Sequence, residues 1–391
     1  MSKYVWLGIL LAFSFTFFFL RVTKPAIFQS PNNHGDAGIE VGTANAQSSG
    51  KKIQVALILD TSNSMDGLIE QAKSQLWKLV NELTTLKKEG AAPEIEIALF
   101  QFGNQDLYIT KGYIEQITPL SSDFDNLSKH LFSLTTNGGN EYCGWAIKDA
   151  LKNLAWSTNP NDLKMIFIAG NEAFNQGPEN YKAVCHTAQK AGIIVNTIYC
   201  GDYFKGKYEF WEEGAQIGGG KYLNIDHNDE VVHTSTPYDD DIMRLNQALN
   251  KTYISYGKEG SKRRHNQKVQ DDNASQYSSA NVRTRAFVKS KKAYKNESWD
   301  LVDFTANNEL SEVEESELPA ELRSMNLQER TSFIEAKRRE REQLKQELQE
   351  YEAKVEEYIR AHQAEVAEEQ TLDHAMLEII QEQAKNKGFD K

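Results

Sequence analysis

The sequence predicts an α/β fold built on a doubly wound, mostly parallel β-sheet. Two observations lead to this prediction. Apolar runs of strand length alternate with amphipathic helical segments over residues 52–257. Runs such as Ile53–Leu59 are almost continuously apolar, which is typical of strands that are buried on both faces. Because ligands bind beyond the carboxyl ends of parallel strands, we expect a site in the loops that follow them.

The strands and helices of this domain follow from hydrophobic periodicity and from helix-start signals. The predicted strands are Ile53–Leu59, Glu94–Phe102, Lys164–Ala169, Ile193–Tyr199 and Lys221–Ile225. The predicted helices are Gly67–Lys87, Ser121–Thr135, Trp145–Leu154, Tyr181–Ala191, Tyr208–Ile217 and Asp239–Asn250. In the first helix, leucines and alanines recur every three or four residues. The second begins with Ser-Ser-Asp, which is good N-cap chemistry.

Residues 1–24 predict an N-terminal membrane helix, because Tyr4–Leu20 is almost wholly apolar and uncharged. Its length of about 25 Å is at the short end of a membrane span. A cleaved signal peptide is the alternative, although Ala44-Asn45-Ala46 lies far beyond the apolar run. Residues 25–51 read as a flexible spacer. We therefore expect a membrane-anchored, extracytoplasmic protein, periplasmic in a Gram-negative cell, or a secreted one if a signal is cleaved.

The remainder of the chain is more polar. Residues 258–310 are predicted to be a linker, and residues 311–391 a helical extension. The apolar residues of one helix, Leu327–Val366, have coiled-coil spacing over two heptads: Leu344, Leu348, Tyr351, Val355 and Tyr358. The favoured interpretation is a pair of helices, the second being Leu372–Ala384, that closes on itself or on the sheet domain. The alternative is a homo-oligomer formed through this coil.

Charge and cysteine content limit the functions to be considered. The net charge is −12, so nucleic acid is excluded as a default partner. Cys143, Cys185 and Cys200 fit no zinc or redox motif. In an exported protein they form one disulfide or remain three buried thiols.

The most informative motif lies directly after the first strand. Asp60, Ser62 and Ser64 place a carboxylate and two hydroxyls at alternate positions of a turn. Hard oxygen donors of this kind suit Mg²⁺, Mn²⁺ or Ca²⁺. By itself the pattern also describes an ordinary Asx-turn or helix cap. Its position at the carboxyl edge of the sheet favours a metal site.

The segment Ile53–Met65 (IQVALILDTSNSM) resembles the opening of a von Willebrand factor type A domain with its metal-ion-dependent adhesion site. The resemblance extends over residues 52–257 and implies a Rossmann-like fold. It also implies that Asp60, Ser62 and Ser64 bind the metal directly or through water. Two later loops should add a Thr and an Asp, and a partner's carboxylate should complete the metal's coordination.

The later loops depart from the family pattern. Residues 137–144 contain the paired glycines, but no Thr follows; Glu141 is the nearest oxygen donor there, with Thr135 and Thr136 just before. Where the family has Asp-Gly after the third strand, this chain has Asn171-Glu172. The predicted site is therefore a modified one, formed by Asp60, Ser62, Ser64, Glu141, Asn171 and Glu172. The C-terminal part, from Trp299, loosely resembles an extension of bacterial membrane-anchored proteins of this type.

These observations predict protein–protein interaction or assembly at the cell envelope, with a partner's carboxylate on the bound cation. The alternative is a structural scaffold that acts through the C-terminal helices and has a vestigial metal site. A metal-assisted hydrolase is a third interpretation, which lacks a second acid/base constellation in the sequence. The chain is therefore predicted not to be an enzyme.

Overall fold

A six-stranded sheet forms the core of the computed structural model, which describes residues 41–44, 51–226, 228, 233–362 and 372–391. Its strands are β2 (Lys52–Asp60), β3 (Glu94–Phe102), β4 (Ile114–Ser121), β6 (Leu163–Gly170), β7 (Ile194–Cys200) and β8 (Gly219–Ile225). The order is β4-β3-β2-β6-β7-β8, and all pairs are parallel except β3 with β4. A separate parallel pair joins β1 (Thr43–Ala44) to β5 (Trp156–Ser157).

The five predicted strands all lie in this sheet. Eight of the nine residues of β2 are buried, as its continuous apolar run predicts. The sequence reading missed β4, an antiparallel edge strand. Most of the residues of β4 are only partly buried or exposed, and Pro119 interrupts it, so it lacks the apolar pattern of the central strands.

Helices cover both faces of the sheet. They are α1 (Asp66–Thr85), α2 (Phe124–Phe132), α3 (Cys143–Asn153), α4 (Tyr181–Lys190), α5 (Tyr203–Tyr208), α6 (Trp211–Ile217) and α7 (Asp239–Asn250), followed by α8 (Gly260–Tyr277), α9 (Ser279–Ser290), α10 (Leu301–Phe304), α11 (Ala320–Arg323), α12 (Leu327–His362) and α13 (Leu372–Asn386). One apolar core lies between the sheet and α3, α4 and α6. A second joins the opposite face to α1 and to α7, α8, α9, α12 and α13, and a third, smaller one lies among α10, α11 and the start of α12. The predicted helix Tyr208–Ile217 begins only at Trp211, as α6, and the sequence did not predict α5 before it; Phe210, with a left-handed φ of 70°, separates the two helices.

The prediction of a linker at residues 258–310 is wrong, because α8 and α9 are packed into the fold. Arg285 of α9 is fully buried. Its guanidinium donates to Asp125 Oδ1 at 2.7 Å and to Asp271 Oδ1 at 2.5 Å, and it lies 4.3 Å from the centre of the Trp77 ring. Polar residues in this segment pair with one another in the interior. The low apolar content of residues 258–310 therefore does not mean that this segment is exposed to solvent.

The apolar residues of α12 that have coiled-coil spacing pack against other parts of the same chain. Leu348 and Val355 are buried in the core that includes α1 and α9. Tyr351 packs against Tyr238, with ring centroids 6.0 Å apart. α13 lies on α1 and on the edge of the sheet, where the Gln383 and Asn196 side chains exchange two hydrogen bonds.

All three cysteines are buried and free. Burial raises the pKa of the Cys185 thiol to about 12. The predicted membrane helix at Tyr4–Leu20 and the spacer up to residue 40 lie outside the described residues. Within the described parts of the chain, no helix is both long and apolar enough to cross a membrane.

We expect Arg285→Met to lower the free energy of unfolding by about 3–5 kcal/mol, because Asp125 and Asp271 would stay buried without this cation. The measurement is chemical denaturation followed by tryptophan fluorescence. The matched control is Arg263→Met, which breaks the more exposed ion pair with Asp123. That change should cost less than about 1 kcal/mol. Equal losses for the two variants would contradict a buried role for Arg285.

A fragment of residues 52–257 should not fold stably, although the linker interpretation would make it an independent domain. Removing Phe287, Leu348, Val355 and Ile380 from the core costs about 6–12 kcal/mol, at roughly 1.5–3 kcal/mol for each side chain. That loss is comparable with the whole stability of a typical domain, about 5–15 kcal/mol. Thermal melting and dye binding compare this fragment with residues 41–391. A cooperative transition of the short fragment close to that of the longer one would contradict the expectation.

Candidate metal centre

Asp60 is the last residue of β2 and lies between Phe102 of β3 and the end of β6, at the carboxyl edge of the sheet. Its side chain is completely buried. Oδ1 accepts a hydrogen bond from the backbone N–H of Ser62 at 2.8 Å, whereas Oδ2 has no hydrogen-bond partner. A buried carboxylate oxygen without a donor is costly. This oxygen is therefore well suited to a cation.

The two predicted serines lie beside it. Ser62 Oγ and Ser64 Oγ are 3.4 Å apart. The Asn171 amide donates to Ser64 Oγ at 3.0 Å, which ties the loop after β6 to the turn after β2. Asn171 Oδ1 is a second buried oxygen without a hydrogen-bond partner. The chain thus supplies hydroxyl, amide and carboxylate oxygens around one point.

Two glycines make room for the Asp60 carboxylate. A Cβ at Gly103 would lie 2.7 Å from Asp60 Oδ1 and 2.9 Å from Glu141 Cγ. A Cβ at Gly170 would lie 3.0 Å from Asp60 Oδ2. Gly103 also has φ of +80°, a conformation that side-chain-bearing residues rarely adopt. The sequence reading missed Gly103; its signal was a glycine directly after a strand at this edge of the sheet.

Glu141 joins the site from the loop before α3 and is largely buried. Burial raises the pKa of Asp60 to about 7, and the hydrogen bond from the Ser62 backbone N–H lowers it less than burial raises it. Burial, and then the charge of Asp60, raises the pKa of Glu141 to about 8. Two neighbouring carboxyl groups therefore lack a positive counter-charge, which a divalent cation would supply.

The other predicted donors point elsewhere. Glu172 is exposed, and its carboxylate accepts from the Gln176 amide at 3.3 Å. The hydroxyl of Thr136 donates to Asp66, and Thr135 is exposed. Five of the six residues predicted for the site come together, with Glu172 at its rim.

Further hydrogen bonds hold the loops around the site. The Asn137 backbone N–H donates to Thr61 O at 3.0 Å, and its side chain donates to Asp106 at 3.0 Å. The Asn104 amide donates to Thr135 O at 2.9 Å. Asn104 was not identified from the sequence. These bonds join the loops after β2 and β3 to the loop before α3, so the oxygens of the site are held in place before any cation binds.

The donor chemistry favours a hard cation. Among the described residues, no group of three or more His, Cys, Asp or Glu side chains is placed to hold a metal. The donors at this site are the carboxylates of Asp60 and Glu141, the hydroxyls of Ser62 and Ser64, and the amide oxygen of Asn171. Such a set fits Mg²⁺, Mn²⁺ or Ca²⁺ better than Zn²⁺.

Comparisons with known proteins agree with the resemblance found in the sequence. Residues 54–209 match the family model of the von Willebrand factor type A domain. No curated protein matches the sequence significantly. Among solved structures, the chain is similar to the conserved hypothetical protein BatB from Bacteroides thetaiotaomicron, with 19% identity, a TM-score of 0.34, and coverage of 44% of this chain and 90% of that one.

Two further structures are similar at a comparable level. An aerotolerance-related membrane protein from Bacteroides fragilis has 18% identity and a TM-score of 0.31, over 44% of this chain and 92% of that one. Proximal thread matrix protein 1 from the mussel byssus, with a zinc-occupied adhesion-site motif, has 14% identity and a TM-score of 0.34, over 48% and 43% of the two chains. The family match, together with the position of Asp60 after β2, shows that residues 54–209 of this chain belong to the von Willebrand factor type A domain family.

Proposed function

We propose that this protein binds a partner protein through a divalent cation held at the carboxyl edge of its sheet. The observation that carries the proposal is Asp60 Oδ2, which is fully buried and has no hydrogen-bond partner. Ser62, Ser64, Asn171 and Glu141 surround it with further oxygens. Mg²⁺, Mn²⁺ or Ca²⁺ would supply the positive charge that these groups lack, and would accept a carboxylate from the partner.

Each residue of the site has a distinct task in this proposal. Asp60 provides the negative charge at the centre, and its neighbours Ser62 and Ser64 provide neutral oxygens. Asn171 holds Ser64 through its amide nitrogen and offers its own Oδ1. Glu141 takes the side of the site where the family has a Thr. Asp60 and Glu141 together balance the charge of a dication, so a partner's carboxylate would bind as a further oxygen ligand of the cation.

The cellular setting of this proposal rests on the sequence. We infer a membrane-anchored, extracytoplasmic protein, periplasmic in a Gram-negative cell, because Tyr4–Leu20 is apolar and uncharged. We also propose that binding, not catalysis, is its role. The scaffold alternative is less well supported, since Leu348 and Val355 of the coiled-coil seam are buried inside the chain.

We expect the protein to bind Mg²⁺ or Mn²⁺ saturably in calorimetric titration, and Asp60→Asn to abolish this binding, because the substitution removes the central charge. Gly170→Ala should weaken it by about tenfold or more, since its methyl group would crowd Asp60 Oδ2. Glu94→Gln is the control, because Glu94 is exposed at the opposite edge of the sheet. Unchanged affinity in Asp60→Asn would refute the site.

Substitution of Glu141 should lower the cation affinity more than substitution of Glu172. Glu141→Gln should lower the cation affinity by about tenfold, because Glu141 is buried against Asp60 and Gly103. Glu172→Gln should change it by less than about threefold, since an exposed charge is screened by solvent and salt. The same titration, at constant ionic strength, compares the variants. A larger effect for Glu172 than for Glu141 would reverse this assignment of ligands.

A further inference from the structure

Exposed apolar side chains of the described residues are concentrated near the metal centre. Six of the eight large apolar side chains that are exposed lie in two segments that follow the carboxyl ends of β3 and β7: Tyr108, Ile109, Tyr203, Phe204, Tyr208 and Phe210. Apolar patches that a soluble surface leaves uncovered mark interaction sites. The edge of the sheet that holds Asp60 therefore also carries most of the exposed apolar surface.

The helix after β7, α5, packs closely on the domain at Gly206. Phe204 and Tyr208 are 75% and 84% exposed and lie four residues apart on α5, on the same side of the helix. On the opposite side, Gly206 is pressed against the interior, where a Cβ would lie 2.3 Å from the Tyr222 hydroxyl and 2.6 Å from the Tyr199 ring. The close packing at Gly206 holds this side of α5 against the interior, so Phe204 and Tyr208 project towards solvent. We call Phe204 and Tyr208 the aromatic face of α5.

The residues that directly follow α5 contact the loop after β6. The Phe174 backbone N–H donates to Glu209 O at 2.9 Å, and the Trp211 indole N–H donates to Glu172 O at 2.7 Å. The Trp211 ring also lies next to Gly170, where a Cβ would be 3.3 Å from it. Gly170 in turn contacts Asp60. The aromatic face therefore lies at the same edge of the sheet as the metal centre, joined to it through Glu209 and Trp211.

The charges on this segment indicate what kind of partner it fits. Lys205 and Lys207 are both paired, with Glu209 at 3.8 Å and with Glu212 at 2.9 Å. Acidic residues outnumber basic ones here: Asp202, Glu209, Glu212 and Glu213 against the two lysines. Such a surface does not attract anionic lipid headgroups. Exposed aromatic side chains at the same edge of the sheet as a cation site fit a protein segment instead, because aromatic groups are frequent anchors at protein interfaces.

We propose that the aromatic face of α5 is the second contact for the protein partner that binds the cation, and that this partner carries apolar side chains next to its carboxylate. The inference rests on the proposed function at Asp60. It assigns the recognition of partner sequence to Phe204 and Tyr208, and the recognition of the acidic group to the cation.

The test uses the full-length protein in Mg²⁺ and a random-peptide display library as the probe. The selected peptides should contain Asp or Glu beside aromatic or aliphatic residues. The double variant Phe204→Ser/Tyr208→Ser should bind them at least about tenfold more weakly, as expected for anchor residues. Leu327→Ser, which removes an apolar side chain that is exposed on α12, should leave the affinity unchanged. The melting temperatures of the variants, which alter only surface positions, establish that they are folded.

The outcomes separate this inference from the proposed function. Peptide binding that is lost in Asp60→Asn but unchanged in the double variant overturns the aromatic contact and leaves the metal role intact. Binding that needs the aromatic face but survives in Asp60→Asn and in chelator overturns the proposed function alone. The inference also fails if no selected peptide depends on the two aromatic residues, including where they instead mediate self-association in sedimentation or binding to phosphatidylglycerol vesicles.

Discussion

The structure depends on one demanding constraint, the complete burial of the Asp60 carboxylate at the end of a central strand. Burial raises its pKa to about 7, so the folded chain alone disfavours the charged form of this carboxyl group. Gly103 and Gly170, at the ends of the two adjacent strands, leave the space that the carboxylate and its neighbours occupy. The surrounding loops then place further oxygens, and few compensating donors, around it. A bound cation would supply the positive charge that these buried oxygens lack.

Elsewhere, the chain neutralises buried charge with its own residues. Arg341 of α12 is almost fully buried and donates to Asp300 at 2.6 Å, to Asp303 at 2.7 Å and to the Thr252 carbonyl at 2.8 Å. Lys289 and Arg285 hold the pKa of Asp271 at about 2, although burial alone would raise it. These clusters attach the C-terminal helices to the sheet domain. The contrast with Asp60 is informative, because each of these carboxylates has a cationic partner within the fold.

The two sides of the molecule differ accordingly. On the face that packs against α1, the helices α7, α8, α9, α12 and α13 cover apolar surface, and the Asn196 and Gln383 side chains pair there. At the carboxyl edge, the loops leave buried oxygens without partners and aromatic side chains without cover. A closed helical face and an incomplete edge together support a single binding edge, with the C-terminal helices as an integral part of the domain that carries it.

The sequence by itself determined the parallel strands and the turn that contains Asp60, Ser62 and Ser64, because both signals are local: a continuous apolar run, and oxygen donors at alternate positions directly after it. The resemblance to the family also indicated Glu141 and Asn171 as candidates, without showing that they meet. Only the tertiary structure shows that these two residues lie close to Asp60 and that Glu172 is exposed at the rim of the metal centre. It also shows that Gly103 leaves space for the Asp60 carboxylate. It alone also placed α8 and α9 in the core, because the burial of Arg285 depends on Asp125, a residue distant in sequence whose charge makes a polar helix stable inside the protein.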